Sequence, residues 1–440
     1  MRSSTRTTTT HLVQAIVLMA GVFACGSDAV RQPLAPGASE ASQSVGQRNA
    51  EVQTMAAWNV IALKTTLAGP FSPPRESRNL AIVSGAVNDA VCSIMRKCAV
   101  YVGPVAASHD ASIQAAVDAA AHRTLAALYP PAAPSLDASY DSALATLPAG
   151  SARDAGAAAG EAAAAAILAM RANDHSLDVV TYTPTPGLGS WVPTPPAFAP
   201  GLEPGWGRVT PFLMASGSQL RPPPPPVPGS DAAVRDYLEI VAVGAANSTT
   251  RTPEQSEVAL FWISTGPQLW NQVAQEVTTG PGMNAAKAAH AYMLLNMAGA
   301  DAIIAAWEAK YTYAQWRPLT AIRSTLDDGS AETVPDPTWS SFIPTPRFPD
   351  YPAGHATYAG AAETVLSALF GENPGTLSIT SPTAGNVTHT YPSFHAIADE
   401  VSNARVWGGI HWRTSVVVGR AVGNRIGDVA MSSAAARGRE

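Results

Sequence analysis

Residues 284–310 read NAAKAAHAYMLLNMAGADAIIAAWEAK, a run dominated by Ala, Leu, Met and Ile. These residues lose little on entering a helix. Apolar positions fall on nearly every face of the turn, so the stretch predicts a long helix buried on most sides. Such a helix needs other helices around it. On the N-terminal side, apolar residues recur at helical spacing over Val52–Leu67 and Arg78–Met95, and residues 110–129 and 151–173 are Ala-rich. Pro130, Pro131 and Pro134 separate two of these segments. Further helices are predicted at 231–243, 253–263, 268–278, 355–370, 393–406 and 411–431. No run alternates as a strand would. The predicted fold is therefore all-α, two packed helical bundles with the active site in the C-terminal one.

The bundles are divided by residues 181–229, which carry many prolines, Trp191, Trp206 and the run Arg221–Pro228. Proline fixes φ and removes a donor, so neither helix nor inner strand forms there. An extended connection over the surface is predicted, with Trp191, Trp206, Phe198 and Phe212 packing it down. The expected organisation is a targeting segment (1–25), a flexible tether (26–50), an N-terminal helical part (51–180), the connection (181–229) and a C-terminal bundle (230–440).

The chain has 440 residues, 46% hydrophobic and 14% charged, with formal net charge −6. That is a globular composition, and it lacks the clustered basic face that nucleic-acid binding needs. An anion site must then be local, built from a few Arg and Lys. Arg2 and Arg6 precede a mostly apolar stretch, Leu12–Ala24, too short for a membrane span. Val22-Phe23-Ala24-Cys25 resembles a bacterial lipoprotein signal, with Cys25 the lipidated residue; simple secretion is the alternative. Either predicts export, to the periplasm or cell envelope or to the medium. Cys92 and Cys98, six apart, can pair in an oxidising compartment or remain two buried thiols. No Cys-x-x-Cys pair suggests a zinc site.

Three short segments in the last third carry the chemistry. In Lys310-Tyr-Thr-Tyr-Ala-Gln-Trp-Arg317-Pro318 two cations lie two helical turns apart and can face one spot if the helix continues. In Phe348-Pro-Asp-Tyr-Pro352-Ala353-Gly354-His355 a Gly opens an Ala-rich helix, whose free N–H groups and positive dipole end suit an anion. His355 at that start is placed to move protons. In Arg405-Val-Trp-Gly408-Gly409-Ile-His411 the glycines bend the chain so that Arg405 and His411 can converge. Each segment alone also fits an ordinary solvated or core role. Together they offer guanidinium forks, an ammonium, an amide and imidazoles, a set suited to a tetrahedral oxyanion.

Lys-x6-Arg-Pro, then Pro-x-Gly-His, then Arg-x5-His resembles the signature of the type 2 phosphatidic acid phosphatase superfamily, which includes the vanadium-dependent haloperoxidases. The likeness extends over about residues 55–430. It implies vanadate as cofactor, with His411 as its direct ligand. Lys310, Arg317, Arg405 and the Gly354 amide would hold the oxyanion, and His355 would be the acid–base group. It implies that Lys310 also polarises bound peroxide, and that Phe348 and Trp307 flank a halide pocket. The implied partners are hydrogen peroxide, a halide and a small organic molecule. A buried helical surface is compatible with a homodimer. The sequence departs from the pattern at Ala353 and Ala404, where Ser is usual. It departs again at Ser415, a position often held by an Asp that orients the histidine; a partner from elsewhere is then required. A soluble acid phosphatase with His411 as nucleophile, or a degenerate phosphate- or vanadate-binding protein, are the alternative readings of the same pocket.

Overall fold

A computed structural model describes residues 38–69 and 72–437, with side chains over 45–69 and 72–436. Residues 1–37, including Cys25, lie outside the described residues. The chain divides into units 1–43 and 44–440; the second holds the architecture below apart from residues 38–43 at the start of α1. Its helices are α1 (Ala38–Ala68), α2 (Pro73–Met95), α3 (Ile113–Leu128), α4 (Ala133–Ala145), α5 (Ser151–Met170), α6 (Asp231–Val243), α7 (Pro253–Phe261), α8 (Gly266–Thr278) and α9 (Ala285–Tyr313). They continue with α10 (Pro318–Ile322), α11 (Gly354–Phe370), α12 (Phe394–Trp407) and α13 (Arg413–Arg437). No helix among the described residues is long and apolar enough to cross a membrane.

The fold is all-α, as expected, and α9 is its axis. It is buried almost throughout and packs against α2 on one side and α8, α11 and α13 on the other. The N-terminal helices α2, α3 and α5 thus share a single continuous core with the C-terminal bundle. Close helix approach comes from glycines. A Cβ at Gly160 would lie 2.3 Å from the Ala116 carbonyl oxygen, locking α5 to α3. On α13, a Cβ at Gly423 would meet the Thr357 carbonyl oxygen at 2.1 Å and one at Gly419 the Ala353 carbonyl oxygen at 2.8 Å. The backbones of α13 and α11 therefore touch, with Arg420 of α13 bonded to Glu363 of α11 at 2.9 Å.

Several expectations are corrected. Helix α1 starts at Ala38, so part of the stretch expected to be a tether is helical; its Ala, Glu, Gln and Arg are good helix formers. Helix α4 was hidden by its prolines. Pro134 sits in its first turn, where the missing N–H has no acceptor to lose. A short antiparallel hairpin, β1 (Leu377–Ser381) with β2 (Val387–Tyr391), pairs Ile379 with His389. Only five residues long on each side, it shows no clear alternation in sequence.

The connection 181–229 contains one short turn, Trp206–Arg208, and is otherwise non-helical. It is pinned onto α9. Buried Asp301 accepts from the backbone N–H groups of Phe212, Leu213 and Met214 at 2.7–2.8 Å. The Trp191 N–H donates to the Ala314 carbonyl at 2.7 Å. Trp191, Trp206 and Phe212 are buried, but Phe198, expected to pack down with them, is 64% exposed.

Candidate active site

Lys310 lies in the last turn of α9, fully buried. Its Nζ donates to the carbonyls of Pro349 (3.0 Å) and Asp350 (2.7 Å). The helix does not continue to Arg317, contrary to the expected two-turn spacing. It ends where Ala314 takes a left-handed conformation (φ 49°), and Arg317 is the extended residue capping α10. The two cations still meet, because Pro318 fixes the start of α10 and both side chains reach the 348–350 segment. The Arg317 Nε donates to the Phe348 carbonyl and Nη1 to the Ile410 carbonyl, both at 2.7 Å. The Phe348 ring lies 5.0 Å from Lys310 Nζ and 4.7 Å from Arg317 Cζ, within cation–π range, and 4.8 Å from the Trp307 ring.

Gly354 is the first residue of α11, and Ala353 is its cap. The opening N–H groups of a helix have no acceptor within it. Trp307 closes over this end: a Cβ on Gly354 would stand 3.3 Å from its ring. One residue on, half-buried His355 donates from Nε2 to the Ser264 carbonyl (3.1 Å), leaving Nδ1 as its free nitrogen. Arg405, in the last turn of α12, donates to the Trp262 carbonyl. The chain then turns at Gly409, whose φ of 76° and closeness to Gly244 (2.1 Å from a Cβ to the Gly244 oxygen) admit no side chain. That turn brings His411, 2% exposed, against Arg317: Nε2 lies 3.2 Å from Nη1. Lys310, Arg317, Gly354, Arg405 and His411, together with His355, are thus gathered from α9, α10, α11 and α12 and the turns beside them.

Sequence reasoning missed three contributors. Asp350, fully buried, places a carboxylate oxygen 3.0 Å from His411 Nδ1 and 3.7 Å from Arg317 Nη1. The Ser264 and Trp262 carbonyls fix His355 and Arg405. An acidic residue one position from a proline carries no distinguishing pattern, and a backbone acceptor carries none at all.

Burial and mutual repulsion loosen the hold of the site's cationic groups on their protons. Burial, then the neighbouring Arg317, holds Lys310 well below its ordinary value. Arg317 is lowered to about 10 by burial, and Arg405 to about 9 by burial and Arg317. Burial and the surrounding cations hold His355 and His411 well below 6.5, so both imidazoles are neutral at neutral pH. Burial pushes Asp350 up to about 6, against the pull of Arg317 and Lys310. Two donors, Arg317 Nη2 and Arg405 Nε, are buried without an acceptor. A buried guanidinium with an unmet N–H is costly, and a multiply charged oxyanion would satisfy both. No group of three His, Cys, Asp or Glu among the described residues could hold a metal cation. The donor set fits a metal that arrives as an oxyanion.

Elsewhere, Cys92 and Cys98 form a disulfide between the end of α2 and the loop after it.

The fold and the site define an all-α protein with a buried cationic cluster. A family model described as the VCPO second helical-bundle domain matches residues 290–438. The vanadium chloroperoxidase of Curvularia inaequalis is 31% identical over 172 residues, covering 33% of this chain and 28% of that protein, so the match spans under a third of the relative's length. The crystal structure of the first bacterial vanadium-dependent iodoperoxidase superposes with a TM-score of 0.76 at 25% identity, over 87% of this chain and 96% of that one. A holo-type bacterial vanadium-dependent chloroperoxidase superposes with a TM-score of 0.67 at 18% identity, over 84% and 94% of the two chains; at that identity the likeness concerns the fold. The chain is thus similar to vanadium-dependent haloperoxidases, by a family model over residues 290–438 and by fold over most of its length.

Proposed function

We propose that this protein is an enzyme that oxidises halide with hydrogen peroxide on vanadate held by His411. The observation that carries the reading is the convergence of three buried cations and two neutral imidazoles, with Arg317 Nη2 and Arg405 Nε lacking acceptors. Vanadate, when bound, supplies a Lewis-acidic centre that activates peroxide toward halide without a change of oxidation state. His411 offers Nε2, kept free of a proton by the surrounding positive charge. Arg317 and Arg405 hold the oxyanion through their unmet N–H groups, with Lys310 and the Gly354 amide completing the cradle. His355 is fixed through Nε2 and takes a proton from entering peroxide at Nδ1, then returns it to the departing oxygen. Lys310, close to Phe348 and Trp307, polarises the peroxide on the side where these rings shape the halide's approach.

The test is vanadium bound per chain, measured with iodide- and bromide-dependent peroxide consumption. Turnover should require vanadate and vanish in His411→Ala. Phosphate should compete with vanadate for loading. A metal-free protein that hydrolyses p-nitrophenyl phosphate, and is inhibited by vanadate, would instead be a phosphatase. Export is part of the same proposal; the mass of the mature N-terminus in the native host distinguishes lipidation at Cys25 from simple cleavage.

A further inference from the structure

Position 415, where an Asp would orient His411, holds Ser415, and its hydroxyl does a different job. Ser415 Oγ donates to the backbone carbonyl of Asp350 at 3.1 Å. The carboxylate near the imidazole is that of Asp350 itself, 3.0 Å from His411 Nδ1. We propose that Asp350 is the positioning residue of His411: its carboxylate holds the Nδ1 proton and so presents the Nε2 lone pair to the bound oxyanion.

The charges around the ring favour one tautomer. The Asp350 carboxylate, whose two oxygens are buried without a hydrogen-bond partner, stands 3.0 Å from Nδ1, while Arg317 Nη1 stands 3.2 Å from Nε2 and 3.4 Å from Nδ1. A proton on Nε2 would face the guanidinium alone, whereas at Nδ1 the nearest charge is the carboxylate. Arg317, Lys310 and Ser415 also act on the carboxylate, Arg317 most strongly. The Arg317 Nη1 is farther, at 3.7 Å, and already has the Ile410 carbonyl at 2.7 Å. Asp350 is in turn held at both backbone ends. Its N–H donates to the Gln315 carbonyl at 2.9 Å, and its carbonyl accepts from Lys310 Nζ and Ser415 Oγ. With Asp350 and Ser415 both fully buried, solvent cannot substitute for either. The orienting carboxylate has thus moved from the helix that follows His411 to the loop that precedes α11, and Ser415 has become the support of its backbone.

The inference rests on His411 being the oxyanion's ligand, so its test begins with a measurement that needs no ligand. Nitrogen-15 spectra of the imidazoles in the ligand-free protein, with the His411 signals assigned by their loss in His411→Gln, should show Nδ1 protonated and Nε2 bare. A wild-type His411 protonated on Nε2 overturns the proposal without any further variant. Calorimetry with inorganic phosphate and with vanadate then reads the consequence. Asp350→Ala should weaken both by about 10- to 100-fold, as loss of an outer partner does. Asp350→Asn keeps an acceptor in place without charge and should stay within about threefold of wild type. The double variant Asp350→Ala/Ser415→Asp, which returns the carboxylate to the helix, should recover most of the loss. Asp350→Ala binding like wild type, or folded Asp350→Asn as weak as Asp350→Ala, overturns the positioning role; a folded double variant no better than Asp350→Ala overturns the exchange of positions. If wild type binds neither anion while the tautomer is as stated, the oxyanion reading fails and the Asp350 contact stands.

Discussion

Ala353→Ser adds one oxygen at the point where the pocket meets the start of α11, and three terms set the outcome. Ala353 has the backbone of a helix cap (φ −70°, ψ 115°) but no side-chain acceptor for the opening N–H groups. A serine cap is worth about 1 kcal/mol of stability over alanine. The same hydroxyl can accept from the helix and donate to an anion at once; that donation is worth roughly 1 kcal/mol, or about fivefold in binding. Opposing both is burial. The Ala353 side chain is fully enclosed beside Ala356, Val406 and Val416, and an unmet hydroxyl there would cost about 1–3 kcal/mol. The expected result is a gain near 1 kcal/mol in urea unfolding and phosphate binding tighter by about fivefold in calorimetry. A variant that is less stable and binds phosphate no better would mean that the hydroxyl points into the valine nook. The anion would then not sit at the mouth of α11.

Gly423→Ala pushes a methyl into the Thr357 carbonyl; a loss on the order of 3 kcal/mol is expected in chemical unfolding, with weaker phosphate binding because Thr357 lies in the first turns of α11, beside His355. His389→Gln tests the clamp on α12. Burial acts to lower His389, but its hydrogen bonds to the carboxylates of Glu400 and Glu257 outweigh it and hold it above 6.5. A raised folded value gives stability that is full below pH 6.5 and lost as pH rises through that value. The stability gap between wild type and variant should therefore be larger at pH 6 than at pH 8.5, and a gap independent of pH would refute a charged His389. Replacing Cys92 and Cys98 by Ser opens a short loop and should cost about 2 kcal/mol in unfolding; an unchanged midpoint would show that the bond contributes nothing.

The sequence reveals what depends on repeated local pattern. Helix α9, the Ala-rich helices and the proline-laden connection were each legible because dozens of residues agree on one conformation. The site was legible only in part, for a reason that Lys310 and Arg317 illustrate. Their spacing suggested one helix face, yet α9 stops at Ala314 and the two meet through tertiary packing against the 348–350 loop. Asp350 and the Trp262 and Ser264 carbonyls were invisible because their roles are created by what the fold places opposite them. Phe198 failed in the other direction: an aromatic ring in a packed connection suggests burial, and this one faces solvent.

The glycine seam between α11 and α13 also bears on how the molecule tolerates motion. With backbone against backbone at Gly419 and Gly423, and Arg420 bonded across, the two helices have little slack to slide. His355 is the second residue of one of them, and His411 lies two residues before the other. A seam of this kind would carry the two imidazoles together, as a single tooled part, when other walls of the molecule shift.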